Sequence, residues 1–218
     1  MAAPVLLPPD ISTYLDETAA ALASKGYIVI DGVFSDKLLN DLILHFKSLD
    51  KNKFRRAGIG REDDYQLNRF IRTDEIHWLN GTHQATREYF ERMEVFRLGF
   101  NERLFLGLFD YECHYAYYNE GAFYKKHLDA FADSNARVVS TVLYLNPSWS
   151  SASGGELVMY SPGDGSVLET IAPLFGRLVL FLSEEFPHEV LPVNVPRYSL
   201  TGWFRKNNSI VNSIDPLS

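Results

Sequence analysis

The chain has 218 residues, 46% hydrophobic and 14% aromatic, enough to bury a core within one domain of ordinary size. Its formal net charge of −7 argues against general affinity for nucleic acid or anionic membrane, because phosphate binding relies on Lys and Arg. The one cysteine, Cys113, rules out an intrachain disulfide; no apolar run approaches the ~20 residues of a membrane helix, and the start MAAPVLLPPD is too short in apolar length for a signal peptide, so a cytoplasmic location is expected.

Residues 10–25 read as a helix, with Asp10 as cap, Ile11, Tyr14, Leu15, Ala19 and Leu22 at helical spacing, and Gly26 as the stop. A strand is expected over 27–33. A second helix follows over 35–49, capped by Ser35, with Leu38, Leu39, Leu42 and Leu44–His45 near one side. The stretch 51–63, KNKFRRAGIGRED, carries five cationic residues and two glycines; it reads as a solvated connection or as a mobile lid over a polypeptide substrate. A short strand and turn are expected within 68–79, and a long helix at about 84–104. From there short runs rich in Tyr, Val, Leu and Phe alternate with Gly, Pro, Asn and Ser. Strands are expected near 108–118, 122–129, 137–145, 155–160, 167–172, 177–182, 187–191 and 197–205, before a polar tail. The fold class is therefore α+β: a two-sheet sandwich or jelly roll over 106–207, supported by an N-terminal helical region, 1–105, packed on the outer face of one sheet. Residues 208–218 are the tail.

Two segments carry chemistry. His127 and Asp129 lie two apart, so on a strand they share a face and reach one ion. Alone, that pair reads as an exposed ion pair, since six histidines and many aspartates produce such spacings by chance. The second segment is FPHEVLPVNVPRYSLTGWF, 186–204. It places His188 on one strand and, after a turn, Arg197, Ser199, Thr201 and Trp203 on one face of the next. A guanidinium on a face that would otherwise be buried implies an anionic partner, in preference to a salt bridge with a nearby carboxylate. Two imidazoles and a carboxylate from neighbouring strands suit a facial triad on non-haem Fe(II), with open positions for oxygen and a chelating keto acid. A keto acid's far carboxylate suits a bidentate Arg.

HLD, PHEV and RYSLTGWF, with YLNPSW (144–149), SGGEL (153–157) and IRTDEIHWL (71–79) in order, resemble the 2-oxoglutarate- and iron-dependent dioxygenases, specifically the prolyl hydroxylase domain family of the Egl-nine type and its bacterial relatives. The similarity spans about residues 68–205. It implies a double-stranded β-helix, with Fe(II) held by His127, Asp129 and His188. It also implies 2-oxoglutarate and O2 as cosubstrates, the former bound by Arg197 and Tyr144 in a pocket lined by Tyr117 and Thr201. Tyr124 and the segment holding Arg72, Asp74 and Trp78 would lie near a protein substrate carrying the target proline. Elongation factor Tu is the first candidate, because bacterial relatives are associated with it. From the residues alone, Arg72 and Asp74 could instead pair across a turn. Trp78 and Trp203 could be packing residues, and the tyrosines half-buried strand residues. His45 reads as a core-edge residue, and Cys113 as a small buried one. Two departures bear on target choice: AFADSNA replaces the family's Asn-Pro-rich loop, and YYNEGAFY lacks its Pro-Gly. The alternatives are the same chemistry on another side chain or a small molecule, and a non-catalytic binding module that kept the fold.

Overall fold

The architecture is that of a computed structural model describing residues 11–56, 71–130 and 136–207, apart from the side chains of 11–13. Helix α1 (Ile11–Lys25) buries Leu15, Ala19 and Leu22. It stops at Gly26, where a φ of 77° lets the N–H reach back to the carbonyls of Ala21 and Leu22. The expected cap, Asp10, lies outside the described residues. Strand β1 (Tyr27–Ile30) is shorter than expected because the chain turns at Gly32, φ 79°. Helix α2 (Asp36–Ser48) begins at Ser35, whose hydroxyl accepts from the Leu38 N–H at 3.3 Å. Its buried stripe is Leu38, Leu39, Leu42, Ile43 and Phe46. Leu44, expected on that side, is 65% exposed, since two residues past Leu42 is about 200° around the helix.

A short 3-10 turn (Lys51–Lys53) leads to β2 (Arg55–Arg56); β3 (Glu75–Trp78) and α3 (Gln84–Leu104) follow. Residues 57–63 of the expected lid lie outside the described residues, as do 208–218 of the tail. Strands β4 (Leu108–Tyr118), β5 (Tyr124–His127), β6 (Arg137–Tyr144), β7 (Leu157–Tyr160), β8 (Val167–Ile171), β9 (Leu178–Leu182), β10 (His188–Val190) and β11 (Arg197–Lys206) fall on the spans read from alternation.

All the strand pairings are antiparallel. A seven-stranded sheet runs β1-β9-β6-β11-β4-β3-β2, and a four-stranded sheet β5-β10-β7-β8. From β4 onward the chain passes repeatedly between the two sheets, which is the course of a double-stranded β-helix. Strands β1 to β3 join the edges of the larger sheet, so the N-terminal region and the core share one sheet.

Period-two alternation builds two cores. On the outer face of the large sheet, Tyr111, Tyr115, Leu143, Leu180, Leu200 and Phe204 meet the helices through Leu15, Leu42, Phe46, Met93 and Phe96. Between the sheets lie Ala116, Tyr118, Val142, Tyr144, Met159, Phe181 and Val190. The site opens from this second layer. No described helix is long and apolar enough to cross a membrane.

Candidate metal and cosubstrate site

His127 ends β5 and His188 begins β10, and the two are Cα partners on one rung of the small sheet. Asp129 lies two residues past β5, in a bend rather than on the strand. Its approach to His127 therefore comes from the turn of the chain, not from strand alternation as expected. One ligand atom from each of the three lies within 4.8 Å of the others. The Nε2 of His127 is 3.5 Å from Asp129 Oδ1, and the Nε2 of His188 is 3.7 Å from Asp129 Oδ2.

Hydrogen bonds settle what these atoms offer. The Nδ1 of His127 lies 2.8 Å from the Lys125 carbonyl, and the Nδ1 of His188 lies 2.9 Å from the Phe186 carbonyl. A carbonyl only accepts, so each Nδ1 carries a proton, and each Nε2 is the ring nitrogen left to face the other two residues. Burial, with His127 alongside, pushes His188 down to about 4, so its imidazole is neutral near pH 7. Burial works to raise the Asp129 carboxyl, but His188, His127 and Arg137 outweigh it and hold the group well below the usual carboxylate range. Ser140 Oγ donates to Asp129 Oδ2 at 2.7 Å and contacts Ser183 Oγ at 2.9 Å. Two imidazole nitrogens and a carboxylate thus converge, and a divalent cation fits that donor set.

The other end of the site is cationic. Arg197, the first residue of β11, is 3% exposed. Among the described residues it forms no ion pair with a carboxylate; Nη1 donates to Ser199 Oγ at 3.2 Å, and the buried Nε has no hydrogen-bond partner. Its guanidinium lies 4.7 Å from the Tyr118 ring and 5.0 Å from the Tyr144 ring. The Tyr144 Oη is also buried without a partner, its pKa raised by burial against the pull of Arg197. A buried cation beside an orphaned hydroxyl fits one end of a dicarboxylate, as 2-oxoglutarate is.

Of the expected pocket residues, Tyr144 and Arg197 meet, and Thr201 faces the inter-sheet side between His114 and Val142. Tyr117 does not join them: it packs on the helix side against Tyr198 and Phe54. Tyr118 takes that place. The family likeness pointed to Tyr117, but the turn around Gly121, φ 79°, separates β4 from β5, and alternation on β4 puts the neighbouring Tyr118 on the inner face. Tyr118 was recoverable by setting β4 against β11, where it opposes Arg197. Ser140 was also missed, although it shares the inward face of β6 with Tyr144.

Arg72 and Asp74 do pair, Nε to Oδ1 at 2.8 Å and Nη2 to Oδ2 at 2.6 Å. The Arg72 guanidinium lies 4.2 Å from the Tyr124 ring, which stacks on His127. Trp78 is 47% exposed and meets His114 and Trp203 at 5.0 and 6.2 Å between centroids. Arg137 covers Trp203 at 3.5 Å and pairs with Glu112, which also pairs with Arg205.

A double-stranded β-helix that gathers two histidines and an aspartate at one end of a buried arginine is the framework of the iron- and keto-acid-dependent oxygenases. The family model described as the 2OG-Fe(II) oxygenase superfamily matches residues 113–205. A Pseudomonas putida prolyl-4-hydroxylase crystal structure superposes with a TM-score of 0.81 at 39% identity, covering 89% of this chain and 100% of that one. A Trichoplax adhaerens prolyl hydroxylase, in complex with a hypoxia inducible factor oxygen degradation domain peptide fragment, matches at TM-score 0.78 and 26% identity over 90% of this chain and 91% of that one. Human prolyl hydroxylase EGLN3 is 27% identical over 161 residues, covering 68% of this chain and 62% of that protein, so the chain spans less than two thirds of this relative. The chain belongs to the 2-oxoglutarate- and Fe(II)-dependent oxygenase superfamily, in its prolyl hydroxylase family.

Proposed function

We propose that the protein is a 2-oxoglutarate- and Fe(II)-dependent protein prolyl hydroxylase that converts a prolyl residue of a target protein to 4-hydroxyproline. The observation that carries this is the convergence of His127, Asp129 and His188 within 4.8 Å, together with a buried Arg197 that has no carboxylate partner among the described residues. Bound iron supplies the oxidation: O2 is reduced as 2-oxoglutarate loses CO2 and becomes succinate, and one oxygen atom enters a proline C–H bond.

The chain's own residues bind and orient. His127, Asp129 and His188 would hold the iron, and the carbonyls of Lys125 and Phe186, by fixing each Nδ1, would leave both Nε2 atoms free to bind it. Arg197 takes the far carboxylate of 2-oxoglutarate, with Tyr144 Oη donating to it and Tyr118 and Thr201 lining the pocket. No side chain has to act as a general base. The likeness to relatives that act on polypeptide supports a protein substrate, and elongation factor Tu is the first target to try. The single, buried Cys113 supports a cytoplasmic site of action.

The test is succinate release by the iron-loaded protein with 2-oxoglutarate and candidate proteins, with mass spectrometry searching for one added oxygen on proline. His127→Ala or Asp129→Ala should abolish turnover. Iron-supplemented variants that form succinate at the wild-type rate would remove the triad from the mechanism.

A further inference from the structure

Residues 124 and 127 are three apart, so a regular strand would point their side chains to opposite faces. In β5 they stack instead: the Tyr124 and His127 rings lie 3.5 Å apart between centroids and 13° from parallel. The cause is an irregularity in the β5–β10 ladder. His127 opposes His188 and Tyr124 opposes Val190, so three steps on β5 match two on β10. Such a bulge re-aims a side chain, here placing the phenol over the imidazole.

Tyr124 is itself clamped. The Arg72 guanidinium lies 4.2 Å from the centroid of its ring, and the Nε and Nη2 of that guanidinium donate to Asp74 at 2.8 and 2.6 Å, with Asp74 1% exposed. The clamp is laid against β5 by the main chain: Lys125 N–H donates to the Ile71 carbonyl at 2.8 Å, Thr73 N–H to the Phe123 carbonyl at 3.1 Å, and Phe123 N–H to Thr73 Oγ1 at 3.0 Å. Guanidinium, phenol and imidazole therefore form one stack ending on a metal ligand. The bond from Nδ1 to Lys125 sets the tautomer of His127, and the stacked phenol covers the face of the ring and restrains its plane.

From this stack we infer that Tyr124, clamped by Arg72, is a positioning residue for His127, holding its imidazole plane. The inference rests on the triad being the iron site, and it differs from a substrate role because it acts before any substrate binds. The aromatic ring is what matters, not the hydroxyl.

The test is titration of the metal-free full-length chain with Co(II), without 2-oxoglutarate or peptide, followed by visible absorption. Tyr124→Phe should match the wild type. Tyr124→Leu, which keeps apolar bulk but loses the flat ring, should bind Co(II) roughly ten- to hundredfold more weakly and shift its absorption bands. Tyr124→Ala should do the same or more, and thermal melts of each metal-free variant separate loosened ligation from unfolding. A Tyr124→Leu protein that holds Co(II) as tightly as the wild type, with an unchanged spectrum and only a raised peptide KM, makes Tyr124 a substrate contact and overturns the inference. A wild-type chain that takes up no Co(II) overturns the iron-site assignment itself, a different and separable result.

Discussion

Arg197 shows how one side chain commits a cavity to one kind of ligand. It is buried between two tyrosine rings, with Nε unmatched and the Tyr144 hydroxyl idle beside it. Leaving a guanidinium in that state costs free energy that an incoming carboxylate returns through two parallel hydrogen bonds. Arg197→Lys keeps the charge and loses the fork. We expect it to weaken 2-oxoglutarate by about 1.5–3 kcal/mol, a roughly ten- to hundredfold rise in Kd by calorimetry, with the triad still binding metal. An unchanged Kd would take Arg197 out of the pocket. That His127, Asp129 and His188 come together was legible from two short segments, one with His127 and Asp129 and one with His188 and Arg197, read together with their family likeness. Tyr118 was not, because the family likeness pointed to its neighbour Tyr117 and only the pairing of β4 with β11 sets Tyr118 opposite Arg197. Asp129 was named for the wrong reason, since a bend and a strand can deliver the same side chain to the same place.

The segments SGGEL and YLN, visible in the sequence only as family likeness, have mechanical explanations in the fold. Gly155 sits at φ 75°, and a Cβ there would lie 2.6 Å from Val193 Cγ1 and 2.9 Å from Arg197 Cδ. It is the space into which the stem of Arg197 fits. Asn146, just past β6, donates to the Pro173 carbonyl at 2.8 Å and accepts from the Tyr198 N–H at 2.8 Å, which pins the start of β11 next to Arg197. Gly155→Ala should therefore cost about 1–3 kcal/mol in urea unfolding and also weaken 2-oxoglutarate, because Arg197 is displaced along with Val193. Wild-type values for both would show that the site tolerates a methyl group there. Strand spans were legible because alternation is a local signal. The bulge in β5 was not, since it exists only in the pairing of β5 with β10, and no single strand encodes its partner's register.

Across the molecule, acid stability depends on histidines that fold in their neutral form. Burial, with Arg72 nearby, pushes His114 down to about 3; burial, with His83, His77 and Lys53 nearby, pushes His45 down to about 4. In the unfolded chain both take up a proton near pH 6.5, so below that pH the unfolded state binds more protons than the folded one. Their contribution is complete above pH 6.5 and declines as the pH falls from there toward 4. Metal-free His114→Phe should lose less of its Tm between pH 7 and 4.5 than the wild type does; equal slopes would show that His114 is not part of the acid response. The imidazoles of the triad meet across a single rung whose two strands, β5 and β10, are separated in the chain by β6 through β9. Before that long loop closes, only His127 and Asp129 are near one another, and two donors make a poor chelate. A metal ion bound by all three groups would therefore need β5 and β10 already paired, and the rung itself is the last part of the chelate to be completed.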